Sequence, residues 1–102
     1  MQIRTVLNGT RRTLKIWVCE TLDVQLHAAF ANTAVVANYT LIDDIEIDLQ
    51  HTRVIRDSGL ALLMMLQHKC ARHCSRIRLV NCSEELRSRL LLNNLAGHFQ
   101  IA

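Results

Sequence analysis

The residues best placed to do chemistry in this chain are Asp57-Ser58-Gly59, which stand just ahead of an unbroken apolar run, Leu60 to Leu66. Asp or Ser before such a run marks a helix start, where a side-chain cap contributes roughly 1 kcal/mol. The position also has a use beyond capping. A helix start carries unpaired N–H groups and a positive dipole end, so it recruits negative charge. A phosphate added there brings about −1.5 to −2 charges and can make or break an interface. Asp57 carries one such charge permanently, and Ser58 is a second candidate, a hydroxyl open to a Ser/Thr kinase. Gly59 lets the backbone turn tightly or lets a partner approach closely.

Two other clusters hold reactive groups. Asp43, Asp44, Glu46 and Asp48 lie close together. Strand alternation sends some of them to opposite faces, so they read as solvated carboxylates rather than an acid–base pair. In His68-Lys69-Cys70-Ala71-Arg72-His73-Cys74, the two cysteines are four apart and share a helical face if the helix persists. A histidine beside them would add a soft ligand for zinc. The spacing fits no standard zinc knuckle, and cations at a helix C-terminus suit its negative dipole end without a metal. No Gly-rich phosphate loop, nucleophile elbow or His-Glu helix motif is present. The expectation is a protein without enzymatic activity, cofactor or metal.

The elements that position Asp57 follow from periodicity. Residues 1–7 alternate, Asn8-Gly9 is a hairpin signal of the type I′ kind, and Leu14, Ile16 and Val18 mark the returning strand. From Leu22 the period changes. Leu22, Leu26, Phe30, Thr33 and Ala37 recur at three- and four-residue steps, predicting a helix capped by Thr21 or Asp23 and fading near Asn38. Ile45, Ile47 and Leu49 alternate with Glu46 and Asp48 in a central strand, and Val54-Ile55 is a further short apolar step. A helix follows from near Ser58. Ile77 and Leu79 form another strand. Asn81 and Ser83 compete to cap a last helix striped by Leu86, Leu90 and Leu91, with Gly97 as its left-handed terminator. Phe99 and Ile101 suit a short terminal strand. The fold class is α/β: a mixed sheet of about four to five strands, with an N-terminal β-hairpin, then α-β-α-β-α, and helices packed on the sheet.

Composition narrows the rest. A chain of 102 residues suits a single domain over residues 1–102, and half of the residues are hydrophobic with only 4% aromatic, so the core is aliphatic. The absence of proline and the presence of only three glycines argue against a loop-rich or disordered chain. No apolar run approaches the roughly 20 residues that span a bilayer, and the N-terminus has no signal-peptide core. The cytoplasm is the expected location, with no direct membrane insertion. Cysteines 19, 70, 74 and 82 show no disulfide-framework spacing and read as reduced thiols. The net charge of +3 comes from scattered arginines, which gives no support for nucleic-acid binding.

The junction from Ile45 to Leu66 resembles the core of the STAS domain, the fold of bacterial anti-sigma factor antagonists. The acidic-ended strand is Ile47-Asp48-Leu49, and Gly59-Leu60 falls on the family's Gly-Leu. Placed without gaps, Asp57 occupies the position of the Ser or Thr that regulated antagonists phosphorylate. Ser58 takes the place of the following small residue, and Arg56 replaces the usual Asp. Leu22-Asp23 matches the end of the family's Gly-Glu-Leu-Asp, without the Gly. The order of elements matches along nearly the whole chain.

The resemblance implies a non-enzymatic regulatory module that binds a protein partner, an anti-sigma factor or switch kinase, through the surface from Asp57 to Met65. Arg56, Asp57, Ser58, Gly59, Ala61, Leu62 and Met65 are the expected contacts. The alternative is the cytoplasmic STAS subunit of a bacterial phospholipid-transport ABC system, with a transporter ATPase subunit as partner. That family shares the I-D-L and G-L-A-L-L wording at 47–49 and 59–63. The apolar block Leu60 to Leu66 covers every direction around a helix. Unless a neighbouring helix covers its second face, it leaves an outer side for another molecule. That surplus, with the exposed edge of the hairpin, leaves room for a homodimer.

Overall fold

An antiparallel hairpin of β1 (Gln2–Asn8) and β2 (Arg11–Trp17) begins the fold in a computed structural model that describes residues 1–39, 42–70 and 76–102. Seven consecutive pairs, from Gln2 opposite Trp17 to Asn8 opposite Arg11, place the turn at Gly9-Thr10. Gly9 has φ of +65° and Thr10 is not left-handed, the pattern of a type II′ turn. The turn thus lies one residue later than the type I′ turn expected at Asn8-Gly9.

Three further strands join β2 side by side and parallel: β4 (Asp44–Asp48), β6 (Arg76–Val80) and β7 (Gln100–Ile101), giving the order β1-β2-β4-β6-β7. The register lines up Leu14, Ile45 and Ile77 in one row and Ile16, Ile47 and Leu79 in the next. All six are buried. The helices α1 (His27–Tyr39), α2 (Asp57–Cys70) and α3 (Glu84–Leu92) supply the other half of this core, chiefly Phe30, Ala34, Leu63, Leu66 and Leu90.

The opposite sheet face is polar. Parallel strands usually read as apolar on both sides because both sides are covered. Here Lys15, Glu46 and Arg78 stand opposite one another across β2, β4 and β6, with ion pairs of 3.4 and 3.3 Å. In the neighbouring row Asp44, 5% exposed, takes a two-pronged hydrogen bond from Arg11 at 2.8–3.0 Å and lies 3.9 Å from Arg76. These hydrogen bonds and the Asp44 charge raise the Arg11 pKa. Asp48 accepts from Asn81 Nδ2 at 2.9 Å. The carboxylates on alternate residues of β4 are thus matched by cations or amides. Asp43, just outside the strand, accepts from the Arg12 backbone N–H instead.

A second, two-stranded parallel sheet pairs β3 (Thr21–Leu22) with β5 (Val54–Ile55). Helical periodicity from Leu22 predicts none of it. The helical segment begins later, with a 3₁₀ turn over Val24–Leu26 capped by Asp23, whose Oδ1 accepts from Gln25 N–H at 3.0 Å. Ser83, rather than Asn81, caps α3 by accepting from Leu86 N–H. Asn81 instead takes a left-handed φ of 56°. The left-handed residue after α3 is Asn94, not Gly97. No helix among the described residues is long and apolar enough to cross a membrane.

Candidate functional site

Backbone geometry fixes where α2 begins. The Arg56 carbonyl accepts from Gly59 N–H at 2.9 Å and Leu60 N–H at 3.1 Å, so Arg56 is the capping position and Asp57 the first helical residue. Asp57 therefore does not cap the helix as its sequence position suggested. Its side chain is 97% exposed, and its Oδ1 accepts from an Arg89 Nη on α3 at 2.9 Å. Asp57 still contributes an acidic group to the first turn, where the helix dipole favours it.

Ser58 has a different role. Its Oγ accepts from Val24 N–H at 3.0 Å and ties the 3₁₀ turn to the start of α2. Arg56 donates its backbone N–H to the Leu22 carbonyl at 3.0 Å, and its guanidinium lies 3.8 Å from the Asp23 carboxylate. Arg53 and Val54 both donate to the Glu20 carbonyl. The chain before α2 is thus laced to β3 along its length.

Gly59 explains why the lacing is so close. A Cβ on this residue would overlap the Leu22 carbonyl oxygen and lie 2.8 Å from its carbon. Only a residue without a side chain admits that approach. The strand that comes close to Gly59 belongs to this chain, not to a partner.

The expected contact residues divide three ways. Arg56, Asp57 and Ala61 are exposed, and Ser58 and Met65 are half-buried. Gly59 and Leu62 are buried, Leu62 at 4% exposure, and so are corrected from surface to core. The apolar block needs the same correction. Among Leu60 to Leu66, only Ala61 is exposed. Leu60, Met64 and Met65 pack at the margin of the core, and α1 and the 3₁₀ turn pack against α2. The greasy outer side anticipated from the sequence is covered within the chain.

What α2 does present is a groove. Its start, β5 and α3 enclose an open depression of about 800 Å³ lined by Arg53, Val54, Arg56, Asp57, Arg89 and Leu92, among others. Val54 and Leu92 are 44% and 84% exposed. Three arginines outnumber the two carboxylates in the lining, Asp57 and Glu85. The Arg89 Nε is buried without a hydrogen-bond partner among the described residues. Sequence reasoning did not find Arg53, Val54, Arg89 or Leu92. Arg89 precedes the striped Leu90 on the polar side of α3, and no local signal joins it to a residue 32 positions earlier.

Of the remaining candidates, Cys70 is a fully buried core residue, and His73 and Cys74 lie outside the described residues. No group of three potential metal ligands occurs among the described residues. Cys82 is half-buried beside β6; burial pushes its thiol pKa up, with the nearby Arg87 lowering it and Asp48 raising it.

No family model and no curated protein sequence matches this chain. Solved structures do. The unphosphorylated anti-sigma factor antagonist SpoIIAA superposes with a TM-score of 0.69 at 15% identity, covering 99% of this chain and 87% of that one. SpoIIAA of Bacillus in its phosphorylated form gives 0.59 at 16%, covering 99% and 91%. The STAS domain of an anti-sigma factor antagonist from Rhodobacter sphaeroides gives 0.51 at 20%, covering 81% and 91%. At such identities the likeness is one of fold, and the fold is STAS-like.

Proposed function

We propose that this chain is a non-enzymatic, cytoplasmic regulatory module that acts as an anti-sigma factor antagonist does, by binding an anti-sigma factor or switch kinase. The contact surface is the start of α2 together with the groove towards α3. One observation carries the reading: a carboxylate, Asp57, stands almost wholly exposed on the first turn of a helix. By gap-free placement of Gly59-Leu60, this is where regulated antagonists carry their phosphoacceptor. The SpoIIAA structures cover both the unphosphorylated and the phosphorylated state of such a protein.

A carboxylate at that point has a specific consequence. It supplies negative charge that no kinase adds and no phosphatase removes, about half of what a phosphate would bring. Partner affinity is then fixed rather than switched at this residue. Arg56, Asp57 and Ala61 make the contacts, with Met65 at their margin. Gly59 and Leu62 support them from beneath. Ser58 holds the turn through Val24, and a phosphate on its Oγ would place bulk and negative charge at that contact.

The test is partner recovery with the full chain. The tagged protein and Arg56→Glu, a change at an exposed site, are each used to capture proteins from the native host. Recovery of a sigma-factor-regulating kinase by the parent but not by the variant, with unchanged circular dichroism, supports the reading. Recovery of an ABC ATPase subunit would replace it with the transporter alternative. A phosphate found on Ser58 by mass spectrometry would show that the switch is present one residue later.

A further inference from the structure

The two ends of the main sheet differ sharply. At one end β7 is two residues long, too short to template another strand. At the other end β1 runs for seven residues with no β-bulge, paired on one side only among the described residues. Natural edge strands are blunted by proline, bulges or several charges. β1 has no proline, and its only charged side chain is Arg4. Its core-side residues Ile3 and Leu7 remain 43% and 66% exposed, although they lie beside Ile16 and Arg12 of β2.

The sequence of β1 is self-complementary about its middle. In an antiparallel pair of β1 strands related by a two-fold axis through Thr5, Thr5 faces Thr5 of the second copy. Ile3 then faces Leu7, and Leu7 faces Ile3, all on the core side of the sheet. On the other side Arg4 faces Val6. The neighbouring register, with the axis through Arg4, sets two arginines directly opposite each other and leaves Leu7 facing Met1. Like charges directly opposite destabilise a strand pair, so charge and apolar matching select the same register.

We propose that β1 is a homodimer interface, in which two copies join their sheets edge to edge through an antiparallel β1–β1 pair centred on Thr5. Such a contact is isologous, uses each free edge once and closes on itself, so it ends at the dimer. It joins two five-stranded sheets into one of ten strands. Each copy's row from Ile16 through Ile3 continues onto Leu7 of the other, which removes both exposed apolar side chains from water. The edge lies at the far end of the strand order from β7, so the interface leaves the start of α2 free.

The experiment uses the whole chain. Light scattering coupled to gel filtration, from micromolar to millimolar protein, is expected to give a mass of twice 11.7 kDa. Leu7→Lys adds charge to an exposed edge position, and it should return the mass to that of the monomer with an unchanged circular dichroism spectrum. Thr5→Cys in a Cys19→Ser background places two thiols across the axis, within the reach of directly opposed strand residues. Mild oxidation should give a disulfide dimer, whereas Thr10→Cys in the same background, at the turn, should not. A monomer at all concentrations overturns the proposal. So does a dimer that survives Leu7→Lys, or one that Thr5→Cys fails to cross-link.

Discussion

Arg89 on α3 donates to the Asp57 carboxylate on the first turn of α2 at 2.9 Å, and this contact bridges the groove between the two helices. The pair lies in water on one side, with Asp57 97% and Arg89 38% exposed. Exposed ion pairs contribute little to stability because water and salt compete for both partners. Arg89→Ala should therefore shift the thermal midpoint by no more than about 2 °C. Asp57→Asn should be equally mild on folding but should abolish capture of the proposed partner. A large loss of stability in either variant, read by calorimetry, would show the pair to be structural.

Gly59→Ala should behave in the opposite way. The added methyl meets the Leu22 carbonyl, a backbone group that cannot move without disturbing the β3–β5 pairing. Overpacking of this kind costs about 3 kcal/mol or more. Urea titration should show a lower midpoint, while Ala61→Ser, two residues on at an exposed position, should leave it unchanged.

Asp44 is the most deeply buried carboxylate of the polar sheet face, and both of its oxygens accept hydrogen bonds from Arg11. Asp44→Ala should cost about 2 kcal/mol, the scale of losing hydrogen bonds to a charged group while the freed arginines return to solvent. The loss should persist in high salt, because a buried acceptor is poorly screened. Insensitivity of the unfolding free energy to this substitution would show the row across β2, β4 and β6 to be decorative.

Cys82 should be a slow thiol. Burial disfavours its thiolate and raises its pKa, so the reactive form develops only at a pH above that of an ordinary cysteine. In a Cys19→Ser, Cys74→Ser background, the alkylation rate of Cys82 plotted against pH should be displaced to higher pH than that of a free cysteine peptide. A displacement to lower pH would mean that Arg87, rather than burial, governs the site.

The parts of this fold that show in the sequence are those with a repeating pattern. Ile45 and Ile47 against Glu46 and Asp48 define β4, and the step from alternation to three- and four-residue spacing places the helical segment that opens with the 3₁₀ turn at Val24 to within a turn. β3 does not show, because two residues have no period and its partner β5 lies 33 positions away. The covered outer side of α2 does not show either, since seven apolar residues look alike whether a neighbouring helix is present or not. Within the candidate site, Asp57 stands out in the sequence by its place before an apolar run, whereas Arg56 enters only through the family resemblance. Gly59 was legible as a point of close approach, but not in what approaches it. Arg89 was invisible because the link to Asp57 exists only once α2 and α3 are packed.

The pairing of β3 with β5 has a consequence for kinetics. It secures the turn before α2 by main-chain bonds, so the proposed partner would meet a platform already in its final shape. Encounter would need no ordering step at this turn and, if that partner is acidic, Arg53 and Arg56 at the rim would speed it by long-range attraction. Raising ionic strength should slow the on-rate markedly while changing the lifetime of the complex much less.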